Sequence, residues 1–550
     1  MRIVLLSALA WTLAGGALRA DFPARTDRVL VRVAPGERFA TLLPVGSRHL
    51  FAGWWRIPVE RGVALEAARA RWRAVAGVDR VEPDAIQRLG GGSLPEAAHP
   101  SPPIPVETSA WVPNDPLLAQ QWHMLKVQAE EAWGLSRGDG VLVAIADSGV
   151  ATGGEDFQCA PLAGEYDAVA DVEGPGVAVD RLGHGTFVAG VIAECTDNGL
   201  GVVGLAPGAR ILAIRACTDD AECASSDVAA SIDWAREHGA RVINLSLGMA
   251  CGTLDWPACS TEIENDAIAR AKAAGMVIVA IAGNGGEDHI GFPANHPDVI
   301  GVGGVEERLL ITSYSSWGTA LSLMAPAGEP GVDRDHDGFA DEILEETLGR
   351  ICNVFQHYQY CRWSGTSFAA PHVVATVALL LARHPEATRD QVRRALVESA
   401  LDEGAPGFDP VYGYGVLQAA TALARLDAIV AETPPLCTPS ETRLCLGSGR
   451  FGVEVAWRDF QGNTGSGHAL PMTDDSGLLW FFAPTNLEML VKALDGCGTN
   501  GHHWLFAAAT TDVEWHLTVT DGLTGATKVY DNPLGRASPA TTDTSAFLCP

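Results

Sequence analysis

Between residues 114 and 426, short apolar runs alternate with longer segments of helical period. Residues 141–146, 211–215, 242–247 and 277–282 are apolar almost throughout and end in small residues. Residues 187–194, 226–238 and 263–274 instead place apolar side chains every three or four positions. Strands that are apolar on both faces belong to a covered sheet, so this region predicts a parallel, three-layer α/β domain. In such a sheet the ligand site lies beyond the C-terminal strand ends. Residues 21–90 combine two strand-like stretches (29–33 and 54–59) with one helical stretch (65–75), a small α+β unit. Residues 437–550 show short alternating runs at 451–457, 478–482, 504–508, 513–519 and 527–530 with Gly, Asn and Asp turns, which predicts a separate β-sandwich. The Pro- and Gly-rich stretch 91–113 reads as an exposed, cleavable linker, and 427–436 as a second linker.

Two apolar stretches need separate treatment. Residues 1–20 have a positive start at Arg2, an apolar run and a small-residue end, the pattern of a secretory signal. Export to an extracellular or periplasmic space follows. The run 368–382 contains Pro371 and His372 and is too short for a bilayer, so no membrane span is expected.

At 550 residues the chain is too long for one core, and two to four folded units are expected. Its net charge of −29 argues against binding a phosphate backbone, while its carboxylates are suitable oxygen ligands for calcium. Residues 21–90 run against this trend, with 12 Arg against 8 acidic residues, so that unit is poised to dock on the acidic remainder. All 12 Cys lie after residue 158, and an even count behind a signal segment points to disulfides. Without a Cys-x-x-Cys pair, zinc thiolate is disfavoured. Sequence alone leaves the pairing open; the favoured arrangement joins 217/223, 251/259, 352/361 and 159/195, with 437, 445, 497 and 549 pairing among themselves.

Three motifs carry chemistry. Asp147 ends an apolar strand in Asp147-Ser148-Gly149, His184 opens a helix in Gly183-His184-Gly185-Thr186, and Ser367 opens another in Gly365-Thr366-Ser367-Phe368-Ala369-Ala370-Pro371. Taken singly, these are a turn, a capping His and an N-cap Ser. Together they supply a nucleophile, a base and a carboxylate that orients the base. In this order the motifs resemble those of the subtilisin-like serine peptidases, nearest the thermitase-like branch, over residues 114–426. Phe187 departs from subtilisin itself, which has a second His there, but lies outside the triad.

The resemblance implies several further assignments. Asn284 would donate to the oxyanion. Ser246, Leu247 and Gly248 would form the edge that binds an extended peptide, and Ala282 and Gly283 would line the primary pocket. Glu287 and Asp288 nearby suggest a basic side chain in that pocket. Residues 27–90 would be an inhibitory propeptide, with the mature start in 100–114. Asp115, Asp156 and Asn198, with carbonyls of 195–202, fall where the branch binds calcium. The residues themselves suggest a second calcium site, since Asp333, Asp335, Asp337 and Asp341 approach the Asp-x-Asp-x-Asp-Gly pattern, although Leu344 stands at the closing position. Clustered Trp457, Trp480, Trp504 and Trp515 read as sheet-core aromatics.

The expected protein is a secreted, monomeric serine endopeptidase made as a proenzyme. It would act on polypeptides, be inhibited by its own propeptide, and need no cofactor for catalysis. A same-triad transpeptidase or cyclase, and a non-catalytic binding or adhesion protein using the C-terminal β domain, are the rival readings.

Overall fold

The computed structural model describes residues 23–34, 43–89, 110–159, 162–254, 256–334, 336, 338–349, 354–432, 437–447 and 449–549. The expected signal segment and most of the 91–113 linker lie outside these. The chain divides near residue 428 into two compact units.

The first unit opens with β1 (Ala24–Val33), β2 (Arg48–His49), β3 (Trp54–Pro58), helix α1 (Leu65–Arg73) and β4 (Val78–Arg88). These strands form an antiparallel sheet in the order β2-β3-β1-β4. Strand alternation divides β1 between two faces. Val29, Val31 and Val33 bury against Ile57, Ala68 and Trp72, a core closed by α1. Leu30 faces the other way and joins Phe51, Trp54 and Ala85 in the core of the α/β domain.

After short helices α2 (Trp122–Lys126) and α3 (Ala129–Trp133) come β5 (Leu142–Asp147), β6 (Gly164–Asp167), β7 (Val172–Glu173), α4 (His184–Ala193), β8 (Arg210–Arg215), β9 (Glu222–Ala224), α5 (Ser225–Glu237), β10 (Val242–Leu245), α6 (Glu262–Ala273) and β11 (Val277–Ile281). Strands β12 (Ile300–Val305) and β13 (Leu323–Pro326) then precede the hairpin β14 (Ile343–Gly349) and β15 (Val354–Trp363) and helices α7 (Thr366–Arg383), α8 (Arg389–Glu398) and α9 (Ala419–Glu432). The main sheet has the order β13-β12-β11-β10-β5-β8-β6-β7, parallel except at β6-β7. Its strands are buried on both faces, as continuous apolar runs require. Helices α5 and α6 cover one face and α4 and α7 the other. At 18 residues α7 is apolar and long enough to cross a membrane, longer than the run 368–382 suggested, yet it is buried in this fold. Helix α9 reaches Glu432, so helix continues into the stretch expected to be a linker from 427.

The N-terminal sheet and the α/β domain are joined by buried polar groups. The Asp84 carboxylate accepts from the Ser226 N–H and hydroxyl at the start of α5, where Ala224 offers no side-chain cap. Glu82 accepts from the Glu262 and Ile263 N–H groups at the start of α6. Helix N-termini leave such donors free and favour negative charge. Arg28 pairs with Asp84 and Arg56 with Asp227, which balances these acids.

In the second unit all strands are antiparallel: β16 (Leu444–Leu446), β17 (Phe451–Arg458), β18 (Thr464–Ser466), β19 (His468–Thr473), β20 (Ser476–Trp480), β21 (Met489–Gly496), β22 (His502–Ala509), β23 (Glu514–Asp521), β24 (Thr527–Asn532) and β25 (Thr541–Leu548). They form two five-stranded sheets, and side chains from both meet in one core. Trp515 belongs to that core, but the expectation fails for Trp480, which stacks on His468, and for Trp504, whose Nε1 donates to Asn500. The latter two point away from the core because their strand partners fall on the other phase of the pleat.

Disulfides join Cys159–Cys195, Cys217–Cys223, Cys251–Cys259, Cys437–Cys445 and Cys497–Cys549. Cys361 is also disulfide-bonded, while Cys352 lies outside the described residues.

Removing one partner of a buried ion pair leaves the other charge uncompensated. Arg56→Ala in the full chain, combined with Ser367→Ala to prevent self-cutting, is expected to loosen the N-terminal unit by about 3 kcal/mol. A lowered urea midpoint for the first unfolding transition would show this, and an unchanged midpoint would exclude it.

Candidate active site

Asp147 is the last residue of β5, at the C-terminal edge of the sheet, and His184 is the first residue of α4. Both are buried, and His184 Nδ1 lies 2.7 Å from Asp147 Oδ1. A carboxylate only accepts, so Nδ1 carries the proton and Nε2 is the nitrogen left to act as base. The Ser148 N–H also donates to Asp147 Oδ1, at 2.7 Å, and fixes the carboxylate. Asp180, which carried no signal in the sequence, accepts from the Gly183 and Thr186 N–H groups and anchors the start of α4. Gly183 has φ +93°, and a Cβ there would lie 1.8 Å from the Leu348 carbonyl oxygen, so this start tolerates only glycine.

Ser367 occupies the first turn of α7 and is buried. Its Oγ donates to the Ser246 carbonyl at 3.5 Å, and the Ser246 hydroxyl donates back to the Ser367 carbonyl at 2.6 Å. Among the described residues no hydrogen bond joins Ser367 to His184; such bonds commonly tighten only when substrate binds. The His184 ring packs 5.6 Å from Phe368, the residue after Ser367, and edge-on to Trp363 at 5.3 Å. Phe187 extends this aromatic wall, 4.4 Å from Phe368.

Asn284 follows β11. Its Oδ1 accepts from the Thr366 N–H at 2.9 Å and the Thr366 hydroxyl at 2.7 Å. These donors set the amide's orientation and leave Nδ2 buried, with no hydrogen-bond partner among the described residues. A buried, unused donor beside a serine is suited to receive a developing negative charge.

The edge Ser246-Leu247-Gly248 divides as a strand does. Leu247 is buried in the core, whereas Gly248 exchanges backbone hydrogen bonds with Arg88 of β4. Beside it lies a cavity of about 360 Å³ whose lining includes Gly248, Ala282, Gly283, Asn284, Glu287 and His289. Glu287 is therefore at the pocket, as expected, but Asp288 is not among its lining residues and pairs instead with His289.

The expected calcium ligands Asp115, Asp156 and Asn198 do come together. Asp156 Oδ1 accepts from Asn198 Nδ2 at 2.7 Å, and Asp115 accepts from the Asp197 and Asn198 N–H groups. Burial raises the pKa of both carboxyls, and the neighbouring Asp115 charge adds to the rise at Asp156. This shortage of positive charge among hard oxygens fits a calcium ion. In the second candidate, Asp333 Oδ2 accepts from the Gly338 N–H and Asp341 Oδ2 from the Arg334 N–H. Asp333 Oδ1 is buried with no hydrogen-bond partner among the described residues. Asp335 and Asp337 lie outside the described residues.

Comparison with known proteins gives a consistent result. Residues 138–415 match the family model described as "Subtilase family". The chain is 33% identical over 340 residues to a thermophilic serine proteinase of Bacillus sp. (strain AK1), covering 62% of this chain and 75% of that protein. It is 32% identical over 303 residues to subtilisin DY of Bacillus licheniformis (54% and 96%) and 30% identical over 294 residues to thermitase of Thermoactinomyces vulgaris (53% and 92%). Among solved structures, a protease from Pseudoalteromonas arctica PAMC 21717 aligns with a TM-score of 0.50 at 28% identity, covering 57% of this chain and 99% of that one.

Proposed function

This chain belongs to the subtilase family of serine endopeptidases, and on that premise we propose that Ser367 is its nucleophile, His184 its base, Asp147 the orienting carboxylate and Asn284 an oxyanion donor. The hydrogen bond from His184 to Asp147 is the observation that carries this assignment. Ser367 Oγ attacks the peptide carbonyl carbon as His184 Nε2 takes its proton, and Asp147 stabilises the imidazolium. The oxyanion accepts from Asn284 Nδ2 and from the Ser367 N–H, which lies in the first turn of α7. His184 then delivers the proton to the leaving amine. The acyl bond to Ser367 is broken by water activated in the same way.

Residues 1–20 are read as a signal for export, 21–90 as an inhibitory propeptide, 91–113 as its cleavable linker, 114–426 as the catalytic domain and 437–550 as a β-sandwich accessory domain. The propeptide reading is supported by β4, which lies along the edge formed by Gly248 and so occupies the path of a substrate. Calcium, bound by Asp115, Asp156 and Asn198, would offset the repulsion between the two carboxylates and hold the loop 195–202.

Intact mass spectrometry of the full chain tests the proenzyme: a cut within 89–113 is expected, and Ser367→Ala is expected to stay whole. Cutting in both would assign the step to another protease. Asn284→Ala is expected to lower kcat about 10²–10³-fold with little change in KM, measured on a chromogenic peptide. EDTA is expected to lower Tm by ~5 °C or more, with recovery on adding calcium. The same response in Asp156→Ala would remove calcium from that site.

A further inference from the structure

Because β4 lies along the substrate edges, its side chains report the pockets a substrate meets. Ile86, Gln87 and Arg88 pair antiparallel with Ala224, Cys223 and Glu222, and Arg88 also pairs with Gly248. In an antiparallel pair, two steps forward on one strand are two steps back on the other. A peptide in this register therefore has its second residue beyond the Arg88 position opposite Ser246, whose carbonyl accepts from Ser367 Oγ. Counting back from a cut after that residue, the Gln87 position is the fourth before the cut.

Gln87 is 1% exposed, in contrast to Arg88 beside it. Its Nε2 donates to Glu264 Oε1 at 2.6 Å, and Glu264, in the first turn of α6, is fully buried. The Thr261 hydroxyl donates to the same oxygen at 3.1 Å. Glu264 Oε2 and Gln87 Oε1 have no hydrogen-bond partner among the described residues. Burial is the main reason the Glu264 pKa rises to about 8, and the nearby Glu82 and Asp84 charges add to it. The pocket that Gln87 fills thus ends in a carboxyl with an unused acceptor. A site built to hydrogen-bond a partner discriminates strongly against one lacking the group, because its buried polar atoms are then left unpaired.

We propose that Glu264 determines specificity: its pocket selects a side chain bearing N–H donors, Gln, Lys or Arg, at the fourth position before the cut. Apolar side chains leave the carboxyl with Thr261 alone and Oε2 still unpaired, and acidic ones add a second carboxyl to it. This inference rests on the peptidase reading above.

Four quenched peptides that differ only at this position, carrying Gln, Lys, Leu or Glu, test it on the self-matured enzyme, with fragment masses fixing the cut. The expected kcat/KM for Gln and Lys is about 10-fold or more above Leu, with Glu the poorest. Glu264→Leu is expected to make the Leu peptide the best substrate. Glu264→Gln, which preserves size and polarity should the first variant fail to fold, is expected to keep Gln above Leu while Lys falls to the level of Leu. Equal rates for all four peptides, or a Leu preference in the unmutated enzyme, would overturn the proposal while casein digestion and fluorophosphonate labelling of Ser367 left the peptidase reading standing. Absence of labelling and of all cleavage would overturn both.

Discussion

A strand edge that binds extended peptide must keep its N–H and C=O groups unpaired, yet such an edge is also a template for unwanted pairing. In this chain β4 pairs with the edges offered by Glu222–Ala224 and Gly248, and satisfies both. The groups that hold the N-terminal sheet against the α/β domain keep β4 in that position. Asp84 supplies the cap that α5 lacks, Glu82 takes two further N–H groups at the start of α6 beside its Thr261 cap, Arg28 and Arg56 balance the acids, and Leu30 and Trp54 complete the shared core. From the Arg-rich unit, Arg32, Arg48 and Arg56 reach Asp266, Asp171 and Asp227 of the α/β domain.

The candidate site depends on the same architecture. One strand end supplies Asp147, and the first turns of two helices supply His184 and Ser367. Each group is held by atoms outside the triad: Ser148 on Asp147, Asp180 beneath the start of α4, Ser246 against Ser367, and Thr366 on Asn284. Trp363 and Phe368 pack on the imidazole, and Phe187 packs behind them. Phe187 therefore thickens that wall.

The parallel strands β5, β8, β10 and β11 were legible because burial on both faces makes them apolar throughout, and their ends fall within a residue or two of the runs. Asp147, His184 and Ser367 were legible as candidates because glycines and small residues surround them. Strand β9 was not, since three residues become a strand only through a partner more than a hundred positions away. Asp180 and Ser148 were missed because their work is hydrogen bonding to nearby backbone, which leaves no periodic trace. Glu264 carried no signal either: in the first turn of α6 it reads as an ordinary acid favoured by the helix dipole, and only tertiary structure shows it buried against Gln87. The outward Trp480 and Trp504 likewise could not be told from core aromatics by composition.

The contact of Gln87 with Glu264 also constrains how such an enzyme can be altered. On the proposed propeptide reading, leader and pocket lie in one chain and would meet before any outside substrate arrives. Under the proposed self-cleavage, every molecule would be screened against its own residues 86–88. A library that varies the pocket alone would be thinned by poor self-processing, and mature yield would be mistaken for turnover. Varying leader and pocket together would remove that filter, and the surviving pairs would form a record, read directly from DNA, of which side chains each pocket accepts.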